Sequence, residues 1–310
     1  MLKKAIILFF LFFLSCTPSL NKDRFIISGT YLEVQSRDKR AAKLVYQEFS
    51  RLDLIFNSYN KKSESYRLNK SKNGVYKLSD ELIELIKAAK KYYKLSQGAF
   101  DITKAKLYSF WKKWGKDKQN TKLPDSVKVA QLKDVGGLDS VKLNEPDKTI
   151  KIKDDRITFD FSGIAKGYMV DKAVLKLKKN GVKNALVNAG GELYCLGKNQ
   201  GKPWQVGIKG SGSIAKIIEV TDAAVATSGN YEQLYEKSAK SYSHIVDPRT
   251  GYPIDKKFLG VTVVADECMK ADVLATTFFI NGKEFAKGII KDDPAITAYF
   301  VTKTGIEKIN

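Results

Sequence analysis

The apolar positions of this chain keep two periods. Between residues 39 and 56, Ala42, Val45, Phe49, Leu52 and Phe56 recur at helical spacing, which predicts an amphipathic helix. A second helix is expected over residues 81–95, capped by Ser79 or Asp80 and stopped at Gln97-Gly98, and a third over 101–114. Residues 25–34 read as one strand, and VYKLS as another after the polar loop SYNKKSESYRLN. Beyond Val141 the texture changes, with short strands VKLN, TIKI and ITFDF leading into a helix over residues 164–179 that Asn180-Gly181 closes. Strands are expected at 185–188, 192–196, 205–208, 217–220, 224–227, 259–265 and 296–301, and helices at 269–280 and 283–290. Helices and antiparallel-looking strands are mixed without regular alternation, so the pattern predicts an α+β fold rather than a doubly wound sheet.

The N-terminus changes the picture of where this fold works. Lys3 and Lys4 precede a run of ten apolar residues, 5–14, and then Ser15-Cys16. A membrane-spanning helix needs about 20 apolar residues, so the run fits a secretory signal instead. Phe13-Leu14-Ser15-Cys16 resembles a bacterial lipobox, with Phe13 where leucine is usual, and makes Cys16 the expected lipidated first residue. An ordinary signal peptide cleaved nearby, or an uncleaved anchor, are the alternatives. The expectation is an exported protein, lipid-anchored to a bacterial membrane and facing the periplasm or another extracytoplasmic space. Residues 1–16 are then the signal, 17–24 a polar tether, 25–302 a catalytic domain of one unit or two α+β subdomains, and 303–310 a C-terminal tail. Cys195 and Cys268 remain, and their apolar surroundings predict two buried thiols rather than a disulfide framework.

Charge narrows the partners. The formal net charge is +20, yet only seven of the 54 cations are arginine, the residue suited to bidentate reading of phosphates and bases. The lysines are scattered singly, and no nucleic-acid partner is expected.

Four stretches carry candidate chemistry. In DFSGIAKGYMVD, from Asp160 to Asp171, a strand gives way to a helix, and Ser162, Gly163 and Gly167 let backbone approach a ligand beside Lys166; a plain strand-to-helix turn fits equally. In ADECMKADVLATTFFI, Asp272 and Thr276 share one helix face in an apolar run. Such a carboxylate needs a partner, and a hard cation, a lysine or backbone amides would each serve. NAGGELYCL sets Glu192 beside Gly190-Gly191, which also reads as a hairpin turn. YSHIVDPRTGYPI holds His244, the only histidine of the chain, in an Asp-Pro turn adjoining TSGNYE. A carboxylate from Asp247 reaching the imidazole would fix its tautomer for base catalysis, whereas a lone histidine is as readily structural.

These motifs together, in this order, resemble the ApbE family, the FAD:protein FMN transferases, many of which are bacterial lipoproteins. IISGTYLEV is similar to the family's first strand, SYNKKSESYRLN to its flavin-side loop, and GAFDITKAKLYSFW to its next motif, so the resemblance spans residues 25–302. It implies an ApbE/T-fold-like architecture of mixed sheets with packed helices, and a Mg²⁺-dependent enzyme that cleaves FAD and attaches FMN to a threonine or serine hydroxyl of an exported acceptor protein, releasing AMP. Hydrolysis of FAD to FMN and AMP, or flavin binding without turnover, are the alternatives. By the resemblance, Asp272 and Thr276 hold Mg²⁺ with a backbone carbonyl near Gly163, Lys166 offsets pyrophosphate charge, and His244 is the base. Asp160, Ala99, Phe100 and Asp101 line the FAD site, Tyr59 packs on the flavin, and Ile245 follows the histidine into the pocket. Ser28 stands where the family usually carries methionine. Family acceptors present Asp followed three residues later by Ser or Thr, then a small residue, Ala and Ser or Thr; DAAVATSG and DFSGIAKG both fail that pattern, so self-flavinylation is not expected.

Overall fold

A computed structural model of the protein describes residues 19–71, 74–117, 119, 122–230, 234–237, 240–254 and 258–310. Where the alternation predicts one strand over 25–34, the chain forms a hairpin of β1 (Asn21–Ile27) and β2 (Thr30–Ser36). Ser28 and Gly29 both take positive φ, 54° and 73°, and reverse the direction within two residues. Residues 21–24, expected in the tether, are therefore paired strand. The helix α1 (Ala41–Phe56) buries Val45, Phe49, Leu52 and Phe56 as predicted. The loop that follows is partly helical, because Ser63 accepts the Tyr66 amide and starts α2 (Glu64–Lys70) with a cap rather than an apolar stripe. Next come β3 (Gly74–Lys77), α3 (Asp80–Leu95) with Ser79 as its cap, α4 (Ala105–Lys116) and α5 (Ser126–Lys133). The helix α4 starts later than expected, since the Asp101 carboxylate accepts the Thr103 amide and hydroxyl and folds residues 101–103 into a turn. A small sheet joins β3 to β5 (Thr149–Ile152) and β4 (Val141–Asn144).

In the second half, the expected strand ITFDF makes only an isolated bridge between Thr158 and Lys104 before α6 (Ser162–Lys179). Then follow β6 (Ala185–Ala189), β7 (Glu192–Leu196), β8 (Trp204–Lys209), β9 (Ile214–Val220), β10 (Ala223–Gly229), β11 (Leu234–Lys237), β12 (Lys240–Ser243) and β13 (Gly260–Ala265). Two helices, α7 (Cys268–Asn281) and α8 (Lys283–Asp292), precede β14 (Thr297–Val301) and β15 (Ile306–Ile309). Residues 306–309, expected in a tail, pair with β14 because Ile309 has a buried place opposite Ala298.

Among the described residues, one antiparallel sheet runs in the order β1-β2-β6-β7-β10-β13-β14-β15. Its strands alternate sides: Val187, Tyr194 and Ala226 join the large core under α1, α6 and α7, while Leu186, Cys195 and Val225 face the β8–β9 ribbon with Trp204, Val206 and Ile208. The fold is α+β, as the sequence predicts. Cys195 and Cys268 are free and buried, also as predicted. No helix among the described residues is long and apolar enough to cross a membrane, and the signal region with Cys16 lies outside them.

Candidate active site

The site gathers where α6 begins. Gly167 lets α6 and α7 touch at their backbones: a Cβ there would lie 2.6 Å from the Cys268 carbonyl oxygen and from the Met269 Cα. Asp171, one turn further along α6, accepts the amides of Cys268 and Met269 at 2.7 and 2.8 Å and so caps α7 from a neighbouring helix. This crossing aims Asp272 at α6, where its Oδ2 accepts the Gly167 amide at 3.2 Å. Asp272 is buried. Burial above all, and then the nearby Glu192 carboxylate, hold its pKa well above the usual carboxylate range against the opposing pull of Lys166.

Glu192 arrives from the other side. The Gly190-Gly191 turn between β6 and β7 has φ of 76° and 114°, and a Cβ on Gly190 would meet Thr30 Oγ1 at 2.3 Å, so the tight turn is a glycine requirement here. It delivers Glu192 to Lys166, whose Nζ lies 2.5 Å from Glu192 Oε1. Burial works against the Lys166 ammonium, but the Glu192 and Asp272 carboxyls together outweigh it and raise the lysine's pKa. Glu192 Oε2 is buried with no hydrogen-bond partner among the described residues. Lys166 is thus already committed to a carboxylate, a pairing that the sequence did not reveal.

Thr276 lies one turn along α7 from Asp272, and its hydroxyl pairs with Ser228 of β10 at 2.8 Å. Two residues on, the Oδ1 of buried Asn230 accepts the Ser243 hydroxyl at 2.6 Å, and Ser243 Oγ accepts the Ile245 amide. Two hydrogen bonds thus tie α7 to the loop of half-buried His244. That loop is braced by α4: the Trp111 indole donates to the Gly251 carbonyl at 2.7 Å, and Trp114 packs edge-on to Tyr242 at 5.1 Å. Both oxygens of Asp247 accept hydrogen bonds from Arg249, two residues on in the same turn. The stretches TSGNYE and GAFDITKAKLYSFW stand out in the sequence, but the roles of Ser228, Asn230 and Trp111 within them do not, because those roles exist only across elements far apart in the chain.

The residues expected to line a flavin nucleotide fall into two groups. Phe100 Cε2 would be 3.3 Å from a Cβ on Gly163, which places Phe100 against the start of α6, with Ala99 and Asp101 its chain neighbours. Asp160 accepts the Ser162 amide there, and its own amide donates to the Ile102 carbonyl. Asp101 is buried, and burial raises its pKa despite its bonds to Thr103. A cavity of about 300 Å³ lies between Tyr93, Asp101, Lys104, Gly137 and Arg249, joining this loop to the histidine turn. Tyr59 stands apart, 85% exposed. Its turn is tied to α1 by Asp53, which accepts from Asn57 and from Ser28 at the β1–β2 tip, so the turn of Tyr59 and Ser28 share one anchor.

Among the described residues no three His, Cys, Asp or Glu side chains cluster as a metal site. Asp272 and Thr276 offer oxygen donors one turn apart on α7, a type that suits a hard divalent cation. Glu192 and Asp272 are two acids that share one ammonium, Lys166, and burial makes ionisation of Asp272 unfavourable, so an added positive charge at these oxygens is favoured and the residues present fit such an ion.

The sequence matches the family described as the ApbE family over residues 28–300. A protein of Haemophilus influenzae named FAD:protein FMN transferase is 30% identical over 257 residues, covering 80% of this chain and 74% of its own. A Vibrio cholerae protein of the same name is 32% identical over 73% of this chain and 69% of its own. The solved flavin transferase ApbE from Vibrio cholerae superposes with a TM-score of 0.81 at 26% identity, and the ApbE protein from Thermotoga maritima with 0.82 at 28%; each comparison covers 94% of this chain and 97% of the other. With its motifs gathered around one helix start and the match running almost from end to end, the chain belongs to the ApbE family.

Proposed function

We infer that the protein is an FAD:protein FMN transferase, an activity its relatives carry by name. The observation that carries this reading is the convergence of the α6 start, the Asp272/Thr276 pair and the histidine loop through the Ser228–Thr276 and Asn230–Ser243 bonds. The acceptor's Thr or Ser oxygen attacks the phosphorus that bears riboflavin, a new phosphoester bond forms, and the pyrophosphate P–O bond breaks with AMP as leaving group. His244 takes the hydroxyl proton, and its loop is held in place by Ser243 and Trp111. Displacement at phosphorus asks mainly for alignment and charge neutralisation.

Asp272 and Thr276, with a carbonyl near Gly163, are the residues to hold Mg²⁺. When bound, the ion supplies Lewis-acid neutralisation of the pyrophosphate. Lys166 contributes fixed positive charge while paired to Glu192, and the loop of residues 99–101 with Asp160 forms the wall on which FAD lies. The signal-like N-terminus supports an exported lipoprotein held by Cys16, acting on an exported acceptor.

Incubation of the purified protein with FAD and Mg²⁺, with and without a protein bearing the family's acceptor motif, tests the activity. A flavinylated acceptor and stoichiometric AMP are expected. AMP without a flavinylated acceptor assigns hydrolysis, and no AMP in either case leaves only flavin binding.

A further inference from the structure

The ends of the main sheet are chemically different. Asn21, Ser36, Ala185, Leu196 and Ala223 align across neighbouring strands at one end, as the pairings Asn21–Ser36, Ser36–Ala185, Ala185–Leu196 and Ala223–Cys195 require. Glu192 and Ser228 lie at the opposite end, about 13–17 Å further along their strands at the usual rise per residue. The candidate active site therefore faces away from the point where the chain enters the fold.

At the entry end, a second cavity of about 600 Å³ is bounded by Arg37, Lys183, Asn184, Lys198 and Asp222. Lys39, Lys179 and Lys202 are exposed on the segments adjoining it. The amines of Lys183, Lys198 and Lys202 make no ion pair among the described residues. Of the two acids here, Asp38 pairs with Arg40, and Asp222, which accepts the Gly197 amide at 2.8 Å, is one carboxylate against the surrounding lysines. Leu20 packs against the cluster under the β8–β9 ribbon, so the chain reaches β1 from this same end. From Cys16 to Leu20 there are four peptide steps, which span at most roughly 14 Å.

We propose that this basic end of the sheet is the protein's membrane-facing surface, with the cavity between Lys183 and Lys198 receiving the phosphate headgroup of an anionic lipid and turning the active site outward. The proposal rests on the lipoprotein reading, because a lipid at Cys16 would hold this face within about two Debye lengths of the bilayer, where lysines feel an anionic surface. An anionic bilayer is the occupant because the tether delivers this face, and no other, to the membrane.

The test uses the full-length protein in vesicles. Cys195 and Cys268 are buried and the sulfur of a lipidated Cys16 is a thioether, so a single introduced thiol can be labelled with a fluorophore, either Gln200→Cys at the cavity mouth or Ser211→Cys at the tip of the β8–β9 ribbon. Vesicles of phosphatidylcholine with phosphatidylglycerol carry a headgroup quencher. The label at 200 should be quenched several-fold more than the label at 211. That difference should collapse in pure phosphatidylcholine and in the double variant Lys183→Glu/Lys198→Glu, but persist in Lys112→Glu/Lys113→Glu, which carries the same charge change on α4. Transfer to a soluble acceptor should be unaffected by the first pair. Equal quenching at the two positions, or quenching indifferent to lipid charge, overturns the proposal. Flotation with vesicles in about 1 M salt, where surface charge is screened, reports the lipid anchor separately: a protein that fails to float has no anchor, while its binding to anionic vesicles at low salt still judges the face.

Discussion

Lys166 Nζ sits 2.5 Å from one oxygen of Glu192, while the other oxygen of Glu192 is buried without a hydrogen-bond partner among the described residues. A carboxylate satisfied on one side only, beside the desolvated Asp272, is a site that gains from a cation. Glu192→Gln removes that potential and leaves Lys166 with a weaker acceptor. Transfer should fall at least about tenfold, and the Mg²⁺ concentration needed for half-maximal rate should rise. Lys166→Ala strands the acid and should destabilise the fold by about 3 kcal/mol, read from urea unfolding.

Asp272→Ala removes the proposed metal donor. Wild-type protein at a hundredfold excess of Mg²⁺ over its dissociation constant should gain about 2.7 kcal/mol of stability. Melting with and without Mg²⁺ should show this gain in the wild type and none in the variant; an equal gain in both would place the ion elsewhere.

His244→Ala should keep FAD binding, measured by flavin fluorescence, and lower transfer by roughly 10²–10⁴-fold, the usual contribution of a positioned base. Transfer at the wild-type rate would end the base assignment.

Gly167→Ala inserts a methyl group where backbone of α7 already lies 2.6 Å away. The two helices must separate, at a cost of about 1–3 kcal/mol. Because Asp272 is set by that crossing, activity should drop by more than the loss of folded protein explains, as active-site titration against circular dichroism will show.

Burial pushes Asp171 up to about 7, although two amides of α7 favour its ionised form. A folded pKa above the unfolded value of about 3.9 means that the folded protein holds the proton longer. This group's contribution to stability is therefore complete below about pH 4 and is lost as pH rises towards 7. Asp171→Asn lacks the titration, so its stability relative to wild type should improve by about 3 kcal/mol between pH 5 and pH 8. A difference that does not vary with pH would show the carboxylate to be ionised throughout.

Much of this was legible in the chain. The stripe of α1, the cap of α3 and the apolar run of α7 are decided within a few residues, because a helix's periodicity and capping are local. The motif series identified the family and nominated His244, Asp272, Thr276 and Lys166, since each needs a residue type at a fixed spacing. Local signals misled where one polar contact outweighed pattern: Ser28-Gly29 split an expected strand into a hairpin, Ser63 made a helix in an expected loop, and Asp101 delayed α4. What only the tertiary structure decided is partnership. Lys166 and Glu192 are 26 positions apart, Ser228 and Thr276 are 48 apart, and Trp111 reaches across 140 to Gly251. No one-dimensional period encodes those meetings, because they depend on which faces of the sheet and helices exclude water together; the sequence names the chemical groups, and burial of the core chooses which of them face one another.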